Sequence, residues 1–162
     1  MLQKAFISIG SNKGGRIDNC RTAVWLVGSG RKTFVVKKSS FYETEPWGNP
    51  DQPPFINAVI EVRTELGPRE LLGLLKSIER KMGRTPSVPL GPRVIDLDII
   101  FYGQAVINER GLKVPHPQAG ERAFVLLPLN EIAPEFVHPS LKKKVFELAA
   151  SLKDTGGIKR LV

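Results

Sequence analysis

The stretch Arg93-Val94-Ile95-Asp96-Leu97-Asp98-Ile99-Ile100-Phe101 decides how this chain is read. Its branched and aromatic residues predict a strand over 94–101, broken in its apolar run only by two acids. Side chains alternate across a strand. Asp96 and Asp98 therefore share one face, while Ile95, Leu97, Ile99 and Phe101 point into a core. Neighbouring carboxylates repel each other, and burial disfavours their charge. A hard divalent cation relieves both effects, and carboxylate with phosphate oxygens suits Mg²⁺. Two solvated acids on an edge strand are the other reading. Arg93, directly after Gly91-Pro92, favours the first, because a cation there would meet the phosphates that bridge such metals.

Working outward, residues 4–9 read as a strand. Ile17, Cys20, Val24 and Val27 recur at helical spacing, so a helix is expected over 16–27, closed by Gly28 and Gly30. A strand over 33–38, extended through 40–44, leads into a loop at 45–54 that holds four prolines. Residues 55–64 alternate as a strand. Gly67-Pro68 starts a helix with Leu71, Leu72, Leu75, Ile78 and Met82 on one face and Gly83 at its end. A second loop, 84–92, precedes the quoted strand. A short strand at 105–107, a helical segment at 122–129 and an amphipathic helix at 141–152 follow. Strands and helices mix without strict alternation, which predicts an α+β sheet with helices packed on it.

On the 55–64 strand, Phe55 and Asn57 share a face opposite Ile56 and Ala58. An Asn amide matches the edge of a flat heterocycle, and a neighbouring aromatic supplies a stacking plane. Taken alone, Asn57 capping a turn and Phe55 in the core would account for the pair. Pro115-His116-Pro117, followed by Arg122 and Phe124, adds two phosphate donors and a second ring. His138 is assigned no role. The Gly-rich run 10–15 lacks the spacing of a phosphate-binding P-loop.

Composition bounds these readings. The 162 residues are 41% hydrophobic and 25% charged, the balance of one globular domain over 1–162. Lys and Arg number 24 against 16 Asp and Glu, a net charge of +8 with a pI near 9.8. That charge invites an anionic partner. Residues 1–40 carry eight basic groups against one acid, but the densest basic run, Lys142 to Lys144, is only three long and reads as a solvated face. A nucleic-acid-binding module is thus an alternative that leaves Asp96 and Asp98 unexplained. Cys20 is the single cysteine, which excludes an internal disulfide and a Cys-based zinc cluster. No signal-peptide pattern and no membrane-spanning apolar run is seen.

Several stretches resemble the bacterial 6-hydroxymethyl-7,8-dihydropterin pyrophosphokinases of folate biosynthesis. They are Ile9-Gly10-Ser11-Asn12, residues 40–46, Asp51-Gln52-Pro53, Phe55-Ile56-Asn57-Ala58, Gly91-Pro92-Arg93 through Ile99, Val114-Pro115-His116-Pro117, and 122–134. The resemblance implies an α+β fold with a ferredoxin-like core, a mainly antiparallel sheet with helices packed on it. It implies transfer of the pyrophosphoryl group of ATP to the hydroxymethyl oxygen of the dihydropterin, with AMP leaving. Carried over by position, Asp96 and Asp98 hold two Mg²⁺ ions and, with Arg84 and Arg93, form the catalytic set. Thr44, Glu45, Pro46, Trp47, Gly48, Phe55, Asn57 and Phe124 bind the pterin. Lys76, Glu79, Arg84, Arg93, Ile99, His116 and Arg122 bind ATP. The expected partners are these small molecules, with no nucleic acid and no membrane, for a cytoplasmic monomer. A non-catalytic pterin- or nucleotide-binding relative is the remaining alternative.

One departure concerns the loop before Gly91. Many members carry Arg and Lys there and an Arg-Trp pair before the Gly. Here it reads Arg84-Thr85-Pro86-Ser87-Val88-Pro89-Leu90, with one cation and Leu90 at the Trp position. Its prolines are expected to stiffen it, so catalysis is expected to lean on Arg93. In steady-state kinetics, Arg93→Ala should lower kcat/KM more than Arg84→Ala does; the reverse order would refute this.

Overall fold

A computed structural model describes residues 1–45, 51–84, 92–153 and 155–161. The chain runs through β1 (Gln3–Ser11), α1 (Arg16–Gly28), β2 (Thr33–Lys38), β3 (Tyr42–Thr44), β4 (Phe55–Thr64), α2 (Pro68–Lys81) and β5 (Asp96–Tyr102). A hairpin of β6 (Ile107–Glu109) and β7 (Leu112–Val114) precedes α3 (Ala123–Ile132), α4 (Val145–Ala150) and β8 (Ile158–Arg160). The main sheet has the order β5-β1-β4-β3-β8, and β2 pairs with β4 beyond β3. Its pairings are antiparallel. With β2 and β3 counted as one broken strand, the β-α-β-β-α-β order gives the ferredoxin-like core.

The alternation of the strands separates two cores. Ala5, Ile7 and Ile9 of β1 and Ala58, Ile60 and Val62 of β4 pack with Leu97 and Ile99 against Cys20, Ala23 and Val27 of α1 and Leu71, Leu75 and Ile78 of α2. The α2 residues form the stripe its spacing predicts. Pro68 opens that helix, and the Gly67 N–H donates to Glu70 Oε1 at 3.0 Å. The opposite face buries Phe6, Val59, Ile100 and Phe101 under Val125, Leu129 and Ile132 of α3. Only the far end of that second face is core. The near end carries Asp96, Gly10 and Asn57 in register across β5, β1 and β4.

Several expectations are corrected. Phe101 does not share a face with Leu97. Ile99 pairs with Ile7 and Phe101 with Phe6, so Ile100 is an extra residue in a β-bulge and the alternation resets there. Phe101 consequently joins the second core, its ring 4.7 Å from Phe136 and 6.2 Å from Phe6 between centroids. The strand at 33–44 breaks at Ser39, whose N–H donates to the Val59 carbonyl while its hydroxyl accepts from the Val59 N–H, both at 2.9 Å. The strand expected at 105–107 starts at Ile107 and pairs with β7, a strand the local sequence pattern does not reveal. The helix expected over 141–152 is confined to α4, because Lys142 takes φ 59° and Val137 bridges to Lys144 just before it.

Leu97 is fully buried in the first core. Leu97→Ala should lower unfolding free energy by about 2–5 kcal/mol in urea titration. Val106→Ala, at a side chain 66% exposed, should stay within about 0.5 kcal/mol.

Candidate active site

The near end of the second face opens as a cavity of about 240 Å³. Nine of the expected residues line it: Thr44, Glu45, Phe55, Asn57, Arg93, Asp96, Asp98, His116 and Phe124. Two adjoining clefts take others. Ile99 lines one of about 250 Å³ with Leu72, Leu112 and Pro117, sharing Asp98 and His116 with the main cavity. Arg122 lines one of about 600 Å³ that shares Thr44, Glu45 and Phe124. Pro46, Trp47, Gly48 and the 85–91 segment, including Leu90, lie outside the described residues.

The carboxylates sit where the physics of the strand requires. Burial raises the Asp98 pKa to about 7, and the neighbouring Asp96 charge adds to this. Burial also raises Asp96, while Arg84, Lys76 and His116 pull it back down. Arg84 reaches Asp96 Oδ1 at 3.4 Å and Glu79 Oε1 at 3.2 Å. Glu79 is buried and accepts the Leu97 N–H at 2.8 Å on its other oxygen, with Lys76 Nζ at 3.4 Å. Glu79 and Lys76 thus stand behind Arg84 rather than in the walls of these cavities. Glu79 joins α2, Arg84 and the backbone between the two acids.

His116 is placed by the bulge. The Ile100 carbonyl accepts the His116 N–H at 2.9 Å. The ring Nδ1 accepts the Gln118 N–H at 3.1 Å, so in the neutral ring Nε2 carries the proton and is the donor. Burial lowers the His116 pKa, opposed by Asp96. Arg93 is pinned from the other side. Its N–H donates to Asn12 Oδ1 at 2.7 Å and its carbonyl accepts the Asn12 N–H at 3.0 Å.

Asn12 is fully buried, and its amide nitrogen also donates to Gln52 Oε1 at 2.8 Å and the Pro53 carbonyl at 3.1 Å. Asn12, Gln52 and Gly10 are site residues that sequence reasoning missed. All three lie in stretches that carry the family resemblance, Ile9-Gly10-Ser11-Asn12 at the end of β1 and Asp51-Gln52-Pro53, to which the sequence reading attaches no role.

On β4, Asn57 Nδ2 donates to Thr44 Oγ1 at 2.7 Å. A Cβ at position 10 would come within 2.9 Å of Asn57 Oδ1, so only glycine leaves that amide edge clear.

The donor chemistry fits a hard cation. Asp96 and Asp98 face the cavity from one strand and Glu45 lines it elsewhere, while among the described residues no cluster of three or more His, Cys, Asp or Glu is arranged to hold a metal. Mg²⁺ is commonly held by one or two carboxylates, with phosphate and water completing its shell. Acids on one strand, ringed by Arg84, Arg93 and His116 beside an amide and aromatic rings, make the layout of a phosphoryl-transfer enzyme.

Comparison with known proteins agrees. Residues 6–134 match the family 7,8-dihydro-6-hydroxymethylpterin-pyrophosphokinase (HPPK), and the chain belongs to it. It is 47% identical over 128 residues to the 2-amino-4-hydroxy-6-hydroxymethyldihydropteridine pyrophosphokinase of Bacillus subtilis, covering 79% of this chain and 77% of that one. The protein of the same name from Methylorubrum extorquens is 40% identical over 160 residues, 99% of each chain. Other relatives are longer. The chain spans 18% of the folic acid synthesis protein fol1 of Pneumocystis carinii, at 45% identity over 137 residues covering 85% of its own length. A solved Plasmodium falciparum HPPK-DHPS, 18% identical, shares the fold with a TM-score of 0.80 over 99% of this chain and 48% of that one. Among the described residues no helix is long and apolar enough to cross a membrane.

The raised carboxyl pKa values give a signed expectation. Asp98 binds its proton more tightly folded than unfolded, so the metal-free protein loses stability as pH rises from about 4 through about 7. A divalent cation favours the ionised acids. Mg²⁺ should therefore raise the Tm more at pH 8 than at pH 6, and Asp98→Asn should remove most of that difference in a thermal-shift titration.

Proposed function

We propose that this cavity transfers the pyrophosphoryl group of ATP to the hydroxymethyl oxygen of 6-hydroxymethyl-7,8-dihydropterin, releasing AMP, in folate biosynthesis. One observation carries the reading. Asp96, Gly10 and Asn57 lie side by side across three strands. A heterocycle read by the amide therefore presents its substituent toward the carboxylates.

The pterin edge meets Asn57, whose amide is fixed by Thr44 and left uncovered by Gly10. Phe55 and Phe124 supply apolar faces from β4 and the first turn of α3, and Thr44 and Glu45 complete the described part of the pocket. The adenine lies in the adjoining cleft against Leu72, Ile99 and Leu112, which places the phosphates between His116 and Asp98.

His116 Nε2–H, Arg84 and Arg93 donate to phosphate oxygens, and Arg122 approaches from the α3 side. Glu79, which also accepts Lys76, holds Arg84 beside Asp96. Arg fits phosphate bidentately, which fixes orientation as well as charge. Two Mg²⁺ ions held by Asp96 and Asp98 would neutralise the triphosphate and polarise its oxygens. Everything else the chain contributes is positioning, which phosphoryl transfer chiefly demands. We read the chain as a cytoplasmic monomer acting on small molecules.

With ATP, Mg²⁺ and the dihydropterin, the protein should form AMP and the pterin pyrophosphate stoichiometrically. Asp96→Ala should keep the circular dichroism of the parent and lose roughly a thousandfold or more in kcat. Binding of both ligands without AMP would instead favour a non-catalytic binding protein.

A further inference from the structure

The row that carries the site does not stop at Asn57. Asn57 pairs with Tyr42 on β3, and Tyr42 pairs with Arg160 on β8. Directly paired antiparallel residues present their side chains on one face. Tyr42 and Arg160 therefore continue the row of Asp96, Gly10 and Asn57 toward α3. There they meet one carboxylate. Glu131 accepts the Tyr42 hydroxyl at 2.9 Å, the Ser40 hydroxyl at 2.9 Å and the Ser40 N–H at 3.0 Å, and Arg160 Nη2 lies at 3.4 Å.

We propose that Glu131 is a positioning residue for the pterin slot, a strut that fixes α3, and with it Phe124, at a set height above Asn57. This inference rests on the reading of the cavity as a pterin pyrophosphokinase site. Phe124 and Glu131 are seven residues apart, which places them on one side of the helix about 10 Å from each other along its axis. Phe124 faces the cavity, and Glu131 faces the next strands of the same row. Pro128 lies between them inside the helix and has no N–H for the Phe124 carbonyl. The helix alone is thus a weaker spacer than an unbroken one, and contacts to the sheet must set its height.

Tyr42 is 6% exposed, so the hydroxyl that reaches Glu131 is carried on a buried ring. The electrostatics agree. Burial works against the Glu131 charge, but hydrogen bonds from Ser40 and Tyr42 hold its pKa below the usual range. Burial, together with the Glu131 bond and charge, pushes the Tyr42 hydroxyl up to about 12. Carboxylate and phenol therefore stay in the bonded state across the working pH range.

The test measures KM for dihydropterin, KM for ATP and kcat by AMP release, with Tm recorded for each variant. Glu131→Ala should raise the pterin KM about tenfold, with the ATP KM and kcat within about twofold of the parent. Tyr42→Phe removes one hydroxyl and keeps the ring, so it decides the matter should Glu131→Ala fail to fold. It should raise the pterin KM about threefold. Glu131→Gln retains an acceptor and should fall between the parent and Glu131→Ala. Folded variants with an unchanged pterin KM, or with both KM values rising together, would overturn the strut. A parent protein that makes no AMP would overturn the underlying functional reading instead.

Discussion

Two carboxylates side by side on a strand that is otherwise core form the constraint around which the molecule is arranged. Burial and the Asp96 charge both push Asp98 toward protonation, and burial pushes Asp96 the same way. The counter-charges come from separate parts of the chain. Arg84 follows α2, Lys76 lies within it, Arg93 precedes β5, and His116 follows the small hairpin. No short motif could gather them. The sheet must present Asp96 and Asp98 on one face while Leu97 and Ile99 anchor β5 from the other. Glu79 links the two sides, accepting a backbone N–H from within the acidic pair and holding the guanidinium that answers it.

Where backbone period alone decided an orientation, the sequence was legible. Asp96 with Asp98, and Phe55 with Asn57, fall on shared faces because their strands run regularly through those residues. The α2 stripe followed from helical spacing in the same way. Phe101 broke the pattern because an extra residue entered β5, and a bulge is fixed by pairing with β1 and by a contact from residue 116, neither visible locally. β8 is three residues long, and its existence depends on pairing with β3 more than a hundred residues earlier. Asn12 and Gln52 were missed for a related reason: their work is to join distant loops. The over-long helix at 141–152 failed at Lys142, whose left-handed backbone no apolar pattern reveals.

The positive charge proved mostly structural or solvent-facing. Arg16 pairs with Glu43 at 3.0 Å, Lys37 donates to the Ile132 carbonyl, and Arg21 and Lys38 lie over the Phe41 ring. These contacts fasten β2, β3 and α1 at the edge of the sheet. The cations beside the acids are few and held by hydrogen bonds, as suits recognition of one polyphosphate rather than a long polyanion.

The bulge at Ile100 has a consequence for how such a chain can change over time. Its carbonyl holds His116, and its extra residue sends Phe101 to the second core. Position 100 can therefore exchange one apolar side chain for another with modest effect, since its backbone performs the anchoring. Losing or gaining a single residue between Asp98 and Phe101 is a different matter, because it would erase that anchor or reverse the sides that follow. In this part of β5 the heritable constraint falls on the count of residues more than on their identity.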